Sequence, residues 1–306
     1  MDAVLLLTAD SSRRAAAFLL PSLRRHYRDL GALWVVSPRR DGAIVRAEVE
    51  GAKTGLRLCF LADEEVVPEL ILHERLGFPR VGGWYRQQLV KLAIVDRIAG
   101  DFYLTLDDDM FAVTDFGDAD CIAAGRALRS QDRVGHRTRN LPPDSPENLD
   151  GWLTWSAGIL HCAPLDYQPD VTPSILACAA VRHLAAWLEA HAQPAARRWL
   201  ISAIASRLIG ARGLRSWRGR LLALLPWTEY TLYDTFLVRH GDFAAYHREP
   251  TDTLLLGNAA WQVPQFAGWR PRATDDDGRR LLFNLVASRS GIPIEDVAAR
   301  LKSVQL

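Results

Sequence analysis

The 306 residues predict a mixed α/β fold, one sheet flanked by helices, and three observations carry that expectation. Short apolar runs alternate with stretches of helical spacing through the first 116 residues, the pattern of buried strands joined by crossover helices. Apolar residues make up 49% of the chain, enough for a large core. The sharpest acidic cluster, Asp107-Asp108-Asp109, follows directly on one of the strand-like runs.

The elements are expected in this order. Residues 4–7 form a strand that ends at Thr8-Ala9-Asp10, and residues 11–29 show helical spacing with Ser11 or Ser12 as cap. Residues 33–36 form the next strand, which completes a βαβ unit. Two further runs, 43–48 and 56–61, read as strands. A loop at 77–83 precedes a helix over 84–98, in which Leu89, Leu92, Ala93 and Val95 share a face with Gln88 and Lys91 near its edge. Residues 102–106 form the strand that delivers the acidic cluster. Beyond residue 116 the pattern loosens. Residues 131–149 are polar, with prolines and arginines, and read as a mobile loop; helices are expected over 175–191, 196–224, 229–240 and 293–303. No repeat or low-complexity linker breaks the chain, so 1–306 reads as one unit.

Composition narrows the function. The net charge is +1 and the charged fraction 24%, so no global field recruits nucleic acid. Only Lys53, Lys91 and Lys302 are lysines, so a lysine inside a motif stands out. Cys59, Cys121, Cys162 and Cys178 lack zinc spacing and read as buried thiols of a cytoplasmic protein. The N-terminal apolar run is too short for a signal peptide or a span. A basic amphipathic stretch at 197–225 admits peripheral contact with an anionic membrane, against the plainer reading of a solvated helix face.

Three groups of residues carry chemistry. Adjacent carboxylates repel, and a divalent cation relieves that repulsion. In an extended segment Asp107 and Asp109 face the same side, and one or two carboxylates hold Mg²⁺ or Mn²⁺ while leaving positions for phosphate oxygens. A solvated acidic turn is the plain alternative. A phosphatase of the haloacid-dehalogenase type is disfavoured, because Met110-Phe111 follow the acids and the strand is the fourth or later. The second group is Gly83-Trp84-Tyr85-Arg86-Gln87-Gln88-Leu89-Val90-Lys91-Leu92, where a helix start after glycines suits an anion. The third is Thr228-Glu229-Tyr230, where Glu229 is either a first-turn acid stabilised by the helix dipole or a general base. Trp152 and Trp155 offer faces for a sugar ring, with core packing as the alternative. Val171-Thr172-Pro173-Ser174 reads as a cap for the next helix and a flank of an acceptor pocket.

The phrases Gly83 to Leu92 and Tyr103-Leu104-Thr105-Leu106-Asp107-Asp108-Asp109-Met110-Phe111 resemble a bacterial family of GT-A-type glycosyltransferases, many of whose members are known only as a domain of unknown function. Thr228-Glu229-Tyr230-Thr231-Leu232-Tyr233 and, in part, Ala287-Ser288-Arg289-Ser290-Gly291-Ile292 match two further phrases of that family, and order and spacing agree over nearly the whole chain. Two positions depart from it: Asp108 stands where serine is usual and Ala287 where glutamine is common. The resemblance implies a GT-A-like, Rossmann-like sheet, with 1–116 as the nucleotide-sugar half and 117–306 as the acceptor half. It implies transfer of a sugar from a nucleotide-sugar, UDP-sugar favoured, to the hydroxyl of a glycan or other acceptor in bacterial surface polysaccharide or glycoconjugate synthesis. It maps Mn²⁺ or Mg²⁺ onto Asp107, Asp109 and His247, with His240 behind it; donor contacts onto Thr8, Asp10, Gln88, Lys91 and Asp108; and the catalytic base onto Glu229. A nucleotidyltransferase remains as an alternative, weakened by the glycine-poor segment after the first strand. A catalytically inactive GT-A-fold binding protein is the other, weakened by the intact acid pair.

Overall fold

The computed structural model describes residues 1–71, 83–129, 131–133, 149–169, 171–191, 216–224 and 227–302, with the backbone alone at 131–133, 149, 150 and 223. Residues 77–82 of the loop expected at 77–83, almost all of the polar stretch 131–149 and the arginine-rich residues 197–215 therefore lie outside the described residues or their side chains, and Gly83 already belongs to the helix Gly83–Ala93.

Thirteen strands occur in the described residues: β1 (Asp2–Leu6), β2 (Ala32–Ser37), β3 (Arg57–Ala62), β4 (Phe102–Leu106), β5 (Met110–Ala112), β6 (Ile122–Ala123), β7 (Arg126–Leu128), β8 (Gln131–Arg133), β9 (Tyr167–Pro169), β10 (Ser174–Ala177), β11 (His247–Arg248), β12 (Thr253–Ala260) and β13 (Arg280–Val286). The main sheet has the order β10-β4-β1-β2-β3. Neighbours among β4, β1, β2 and β3 are parallel, and β10 runs antiparallel along the outer edge of β4. Every residue of β4 is buried, as expected of a strand covered on both faces. The chain leaves β1 toward β2 and β3 on one side and returns to β4 on the other. The carboxyl ends of β1 and β4 thus flank a topological switch point, where open α/β sheets form their crevice.

A second sheet, β12-β13-β5, braces the turn after β4: Asn284 pairs with Phe111 and Leu285 with Met110. The small sheet β11-β7-β6 and the antiparallel pair β8-β9 complete the strands. The main core runs from Ala3 to Ala287 and draws on β1, β2, β4, β10 and the helix Glu229–His240.

Several elements depart from expectation. Residues 43–48 belong to the helix Gly42–Gly51, which buries Val45 and Val49 at i and i+4 while their neighbours face outward. The helical stretch begins at Ala9, contains a π-helical turn at Ala15–Leu19 and ends at His26. Residues 174–177 are strand β10, and the helix is Cys178–Ala190, so Thr172 to Ser174 lead into a strand and cap no helix. β12 and β13 are strands that the loosened pattern after residue 116 did not reveal. Of the four cysteines, Cys121 and Cys178 are buried whereas Cys59 and Cys162 are half-buried, and all are free.

Candidate active site at the carboxyl end of the sheet

The acidic cluster lies where expected, immediately after β4, but Asp108 and Asp109 form a turn between β4 and β5. The alternation of an extended strand does not operate there, and the three carboxylates go to three different partners. Asp107 Oδ1 accepts a hydrogen bond from Lys91 Nζ at 2.9 Å. Asp108 Oδ2 lies 4.0 Å from Arg14 Nε, too far for a firm ion pair. Asp109 Oδ2 accepts from the Ser288 amide at 2.8 Å, and its backbone carbonyl accepts from Val286 N at 3.0 Å. Burial, then Asp109 and Asp107, push the Asp108 carboxyl up to about 8. Burial and Asp107 push Asp109 up to about 6. Asp109 Oδ1 is buried without a hydrogen-bond partner among the described residues. The turn thus carries more negative charge than its surroundings neutralise.

Lys91 gathers the opposite wall. Its helix, Gly83–Ala93, buries Gln88, Leu89, Val90, Lys91, Leu92 and Ala93, so Gln88 and Lys91 are no exposed edge. The Tyr103 hydroxyl, rising from β4, donates to the Lys91 carbonyl at 2.7 Å and fixes the helix over the sheet. Lys91 Nζ is 1% exposed, 3.1 Å from Glu229 Oε1, and donates to Thr172 Oγ1 at 3.0 Å. An isolated buried ammonium costs several kcal/mol, about what a single mispositioned charge can withdraw from a whole domain. Here its partner carboxylates, Asp107 first, hold its pKa well above the ordinary lysine value against the opposing effect of burial. Lys91, Asp107 and Glu229 together carry a formal charge of −1 when all are ionised.

Glu229 opens the helix Glu229–His240. Thr228 caps that helix as expected, its hydroxyl accepting from Thr231 N, and Thr231 completes the reciprocal box. Glu229 is therefore not needed as a cap. Its amide donates to Gln88 Oε1 at 3.2 Å, its side chain is 1% exposed, and Lys91 faces its carboxylate. Burial raises its pKa, and Lys91 opposes that rise. Tyr230 ties the wall to the sheet: its hydroxyl lies 2.7 Å from Thr105 Oγ1 and 3.0 Å from Thr172 Oγ1.

Across the switch point, Thr8 caps the helix that follows β1 in a reciprocal box with Ser11, and Asp10 stands exposed in its first turn. At the end of β3, Arg86 binds Asp63 through two nitrogens at 2.7 and 2.8 Å and reaches Glu64 at 3.2 Å, which anchors the start of the Lys91 helix. Burial raises Asp63 to about 6 in spite of Arg86.

His247 is not brought to the acids. It lies on β11, with Nε2 2.8 Å from the Tyr233 hydroxyl, and burial lowers it to about 3. His240 contacts the Leu160 carbonyl and Trp187. Among the described residues no three His, Cys, Asp or Glu side chains converge as a metal site. A cation at this turn would take one or two protein carboxylates, an arrangement Mg²⁺ accepts when phosphate and water complete its shell. The unpartnered Asp109 Oδ1 fits such an ion.

Three features escaped the sequence reading. Arg14 donates to the carbonyls of Val286 and Ile292 from within the first helix and so pins the segment that closes over Asp109. Gly291, at φ 75°, gives that segment its left-handed turn. Arg129 forms a second buried charge centre with Asp234. The match to a Gly-Ile phrase at 291–292 was the available signal for this segment; nothing in the sequence marks Arg14 or Arg129. In the basic stretch 197–225, the described arginines turn inward: Arg218 onto Glu69 and Arg220 onto the Leu188 carbonyl. No helix among the described residues is long and apolar enough to cross a membrane.

The fold is similar to that of mouse xyloside xylosyltransferase 1, with a TM-score of 0.50 at 12% identity, over 96% of this chain and 100% of that one. The galactosyltransferase LgtC, solved with donor and acceptor sugar analogues, aligns with a TM-score of 0.48 at 11% identity, over 99% of this chain and 95% of that one. No curated protein matches. The architecture is a GT-A-like α/β fold. The model of a family of unknown function, DUF6492, matches residues 2–305, and the chain belongs to that family.

Proposed function

We propose that the protein is a metal-dependent glycosyltransferase that moves a sugar from a nucleotide-sugar, a UDP-sugar by preference, to an acceptor hydroxyl. One observation carries this reading. An under-neutralised acid turn sits at the switch point of a GT-A-like sheet, with a buried, unpartnered oxygen on Asp109. Asp109, with Asp107 beside it, would hold Mn²⁺ or Mg²⁺, which when bound neutralises a departing diphosphate. In the transfer the acceptor oxygen bonds to the anomeric carbon, the bond from that carbon to the phosphate oxygen breaks, and the hydroxyl proton is released.

The chain's own residues have distinct parts in this reading. Thr8 and Asp10 border the donor from the end of β1. Lys91, at 1% exposure, is too enclosed to reach a phosphate; it orients the Asp107 carboxylate instead. Glu229 is equally enclosed and acts through Lys91, so we assign it as a positioning residue and leave the base unassigned. Gln88 holds Glu229 in place through the amide of that residue. His247 has no part in the cation site. Synthesis of a bacterial glycoconjugate is the setting that the family resemblance favours.

Calorimetric titration of UDP and GDP, with and without Mn²⁺, tests the proposal. Metal-dependent binding of UDP is expected. Asp109→Asn retains an acceptor for the Ser288 amide yet removes the charge, and it should weaken metal-dependent UDP binding at least tenfold with an unchanged circular dichroism spectrum. Unaltered binding by that variant would remove Asp109 from the cation site.

A further inference from the structure

Four aromatic side chains lie beyond the acid turn and take no part in the chemistry above. Trp84 and Tyr85 open the helix Gly83–Ala93, and Trp152 and Trp155 stand on the helix Leu149–Ile159. The rings of Trp84 and Trp152 stack between the two helices, centroids 5.2 Å apart and planes 28° apart, with Tyr85 edge-on to Trp84 at 4.9 Å. Trp84 is 36% exposed and Trp155 46%. Core packing, the plainer expectation for tryptophan, does not describe them.

Their placement relative to the site follows from helix periodicity. Trp84, Gln88 and Lys91 fall at i, i+4 and i+7, so they share one face, with Gln88 about 6 Å along the axis from Trp84. Gln88 Oε1 receives the Glu229 amide. On the other helix, Trp152 and Ser156 fall at i and i+4, again about 6 Å apart along the axis. Ser156 Oγ lies 2.7 Å from Thr231 Oγ1. Two independent stripes therefore lead from the stacked pair to the first turn of the helix Glu229–His240. The aromatic pair stands about one helical turn from the buried wall of the site. Half-buried Gln87, at i+3 from Trp84, adds an amide beside the rings.

We infer that the stacked Trp84 and Trp152, flanked by Trp155 and Gln87, form the subsite that holds the sugar ring of a carbohydrate acceptor. An indole face matches the C–H face of a pyranose, and a nearby amide matches its hydroxyls. The acceptor role rests on the transferase reading above; sugar binding by the aromatic pair does not.

Saturation-transfer NMR on the full chain tests the inference, with methyl α- and β-glycosides of glucose, galactose, mannose and xylose as probes. At least one should receive saturation at its ring C–H protons. Trp152→Ala should weaken that glycoside at least fivefold, Trp84→Phe should keep most of the binding, and Trp155→Ala should weaken it about twofold. The last variant alters an exposed ring and covers the case in which Trp152→Ala does not fold. UDP binding, measured by calorimetry on the same samples, should be unchanged in all three. No saturation of any glycoside by the wild-type protein would overturn the subsite, as would equal binding by folded Trp152→Ala and Trp155→Ala. Parallel loss of UDP binding would assign the rings to the nucleotide instead. Glycoside binding without UDP binding would leave the subsite standing and remove the donor assignment; the reverse would do the opposite.

Discussion

Two buried cations lean on the same helix, Glu229–His240, and the protein treats them differently. Arg129 meets Asp234 at 2.6 Å with both side chains 0% exposed, lies 5.2 and 5.5 Å from the ring centroids of Tyr230 and Tyr233, and also bonds Ser174. One cation there faces one anion. Lys91 instead faces Asp107 and Glu229, and Asp107 remains 30% exposed. The first centre is closed and balanced. The second is one positive charge short and opens toward the crevice. Balanced burial is what a fold needs to join two elements; a deficit at an opening is a place for an incoming cation or a ligand.

Breaking the closed centre should have the largest effect. Arg129→Met strands Asp234 and should cost about 3–5 kcal/mol, a fall on the order of 10 °C in melting temperature. Mn²⁺ should not restore it. Pairing it with Asp234→Leu should recover much of the loss, because a well-packed apolar pair can replace a buried ion pair. Thermal melts of the two variants give the comparison, and a rescue of Arg129→Met by Mn²⁺ would erase the distinction between the centres.

Lys91→Met should destabilise the metal-free protein by about 3 kcal/mol, toward the lower end of the same range because Asp107 keeps contact with water. Excess Mn²⁺ should return part of that stability by occupying the vacated charge. Melting curves with Mn²⁺ and with a chelator decide this. Equal values in both would place the lysine with Arg129 as a purely structural cation.

A smaller effect is expected with pH. Asp108, held at about 8 in the folded chain, keeps a proton that the unfolded chain releases near pH 4. The native state then binds more protons, so stability falls as pH rises through that interval. His247, lowered to about 3, acts in the opposite direction only below its unfolded value near 6.5. Between pH 6.5 and 8, in chelator, the wild-type protein should therefore lose up to about 2 kcal/mol. Asp108→Asn should remove most of that slope, and an undiminished slope in the variant would show that the acid turn is not its source.

Much of this was legible one element at a time. β4 and the helix Glu229–His240 fall within their expected bounds, because an unbroken apolar run before an acid turn and a threonine cap before a periodic stretch are local signals. The helix Gly42–Gly51 was misread because Ile44, Val45 and Val49 favour strands, while only two of them turn inward. β10 merged with the helix after it because the apolar run from 175 to 181 contains no turn residue. The site was legible in its acids and in Lys91, but not in who pairs with whom. Glu229 reaches Lys91 across 138 positions, and Arg129 reaches Asp234 across 105. Such pairings are settled by the sheet order, and no pattern within a window of sequence records them.

The closure of Asp109 by Val286 and Ser288 bears on how the protein is made. The acid turn is synthesised before residue 110, yet its amide partners, Val286 and Ser288, follow 177 and 179 positions after Asp109. A nascent polypeptide therefore carries that turn without those two amides until residue 288 has been added, and the turn cannot take its finished form before then. A stop codon or a protease cut shortly after residue 280 would yield a product that keeps all five strands of the main sheet and lacks both amides that close over Asp109.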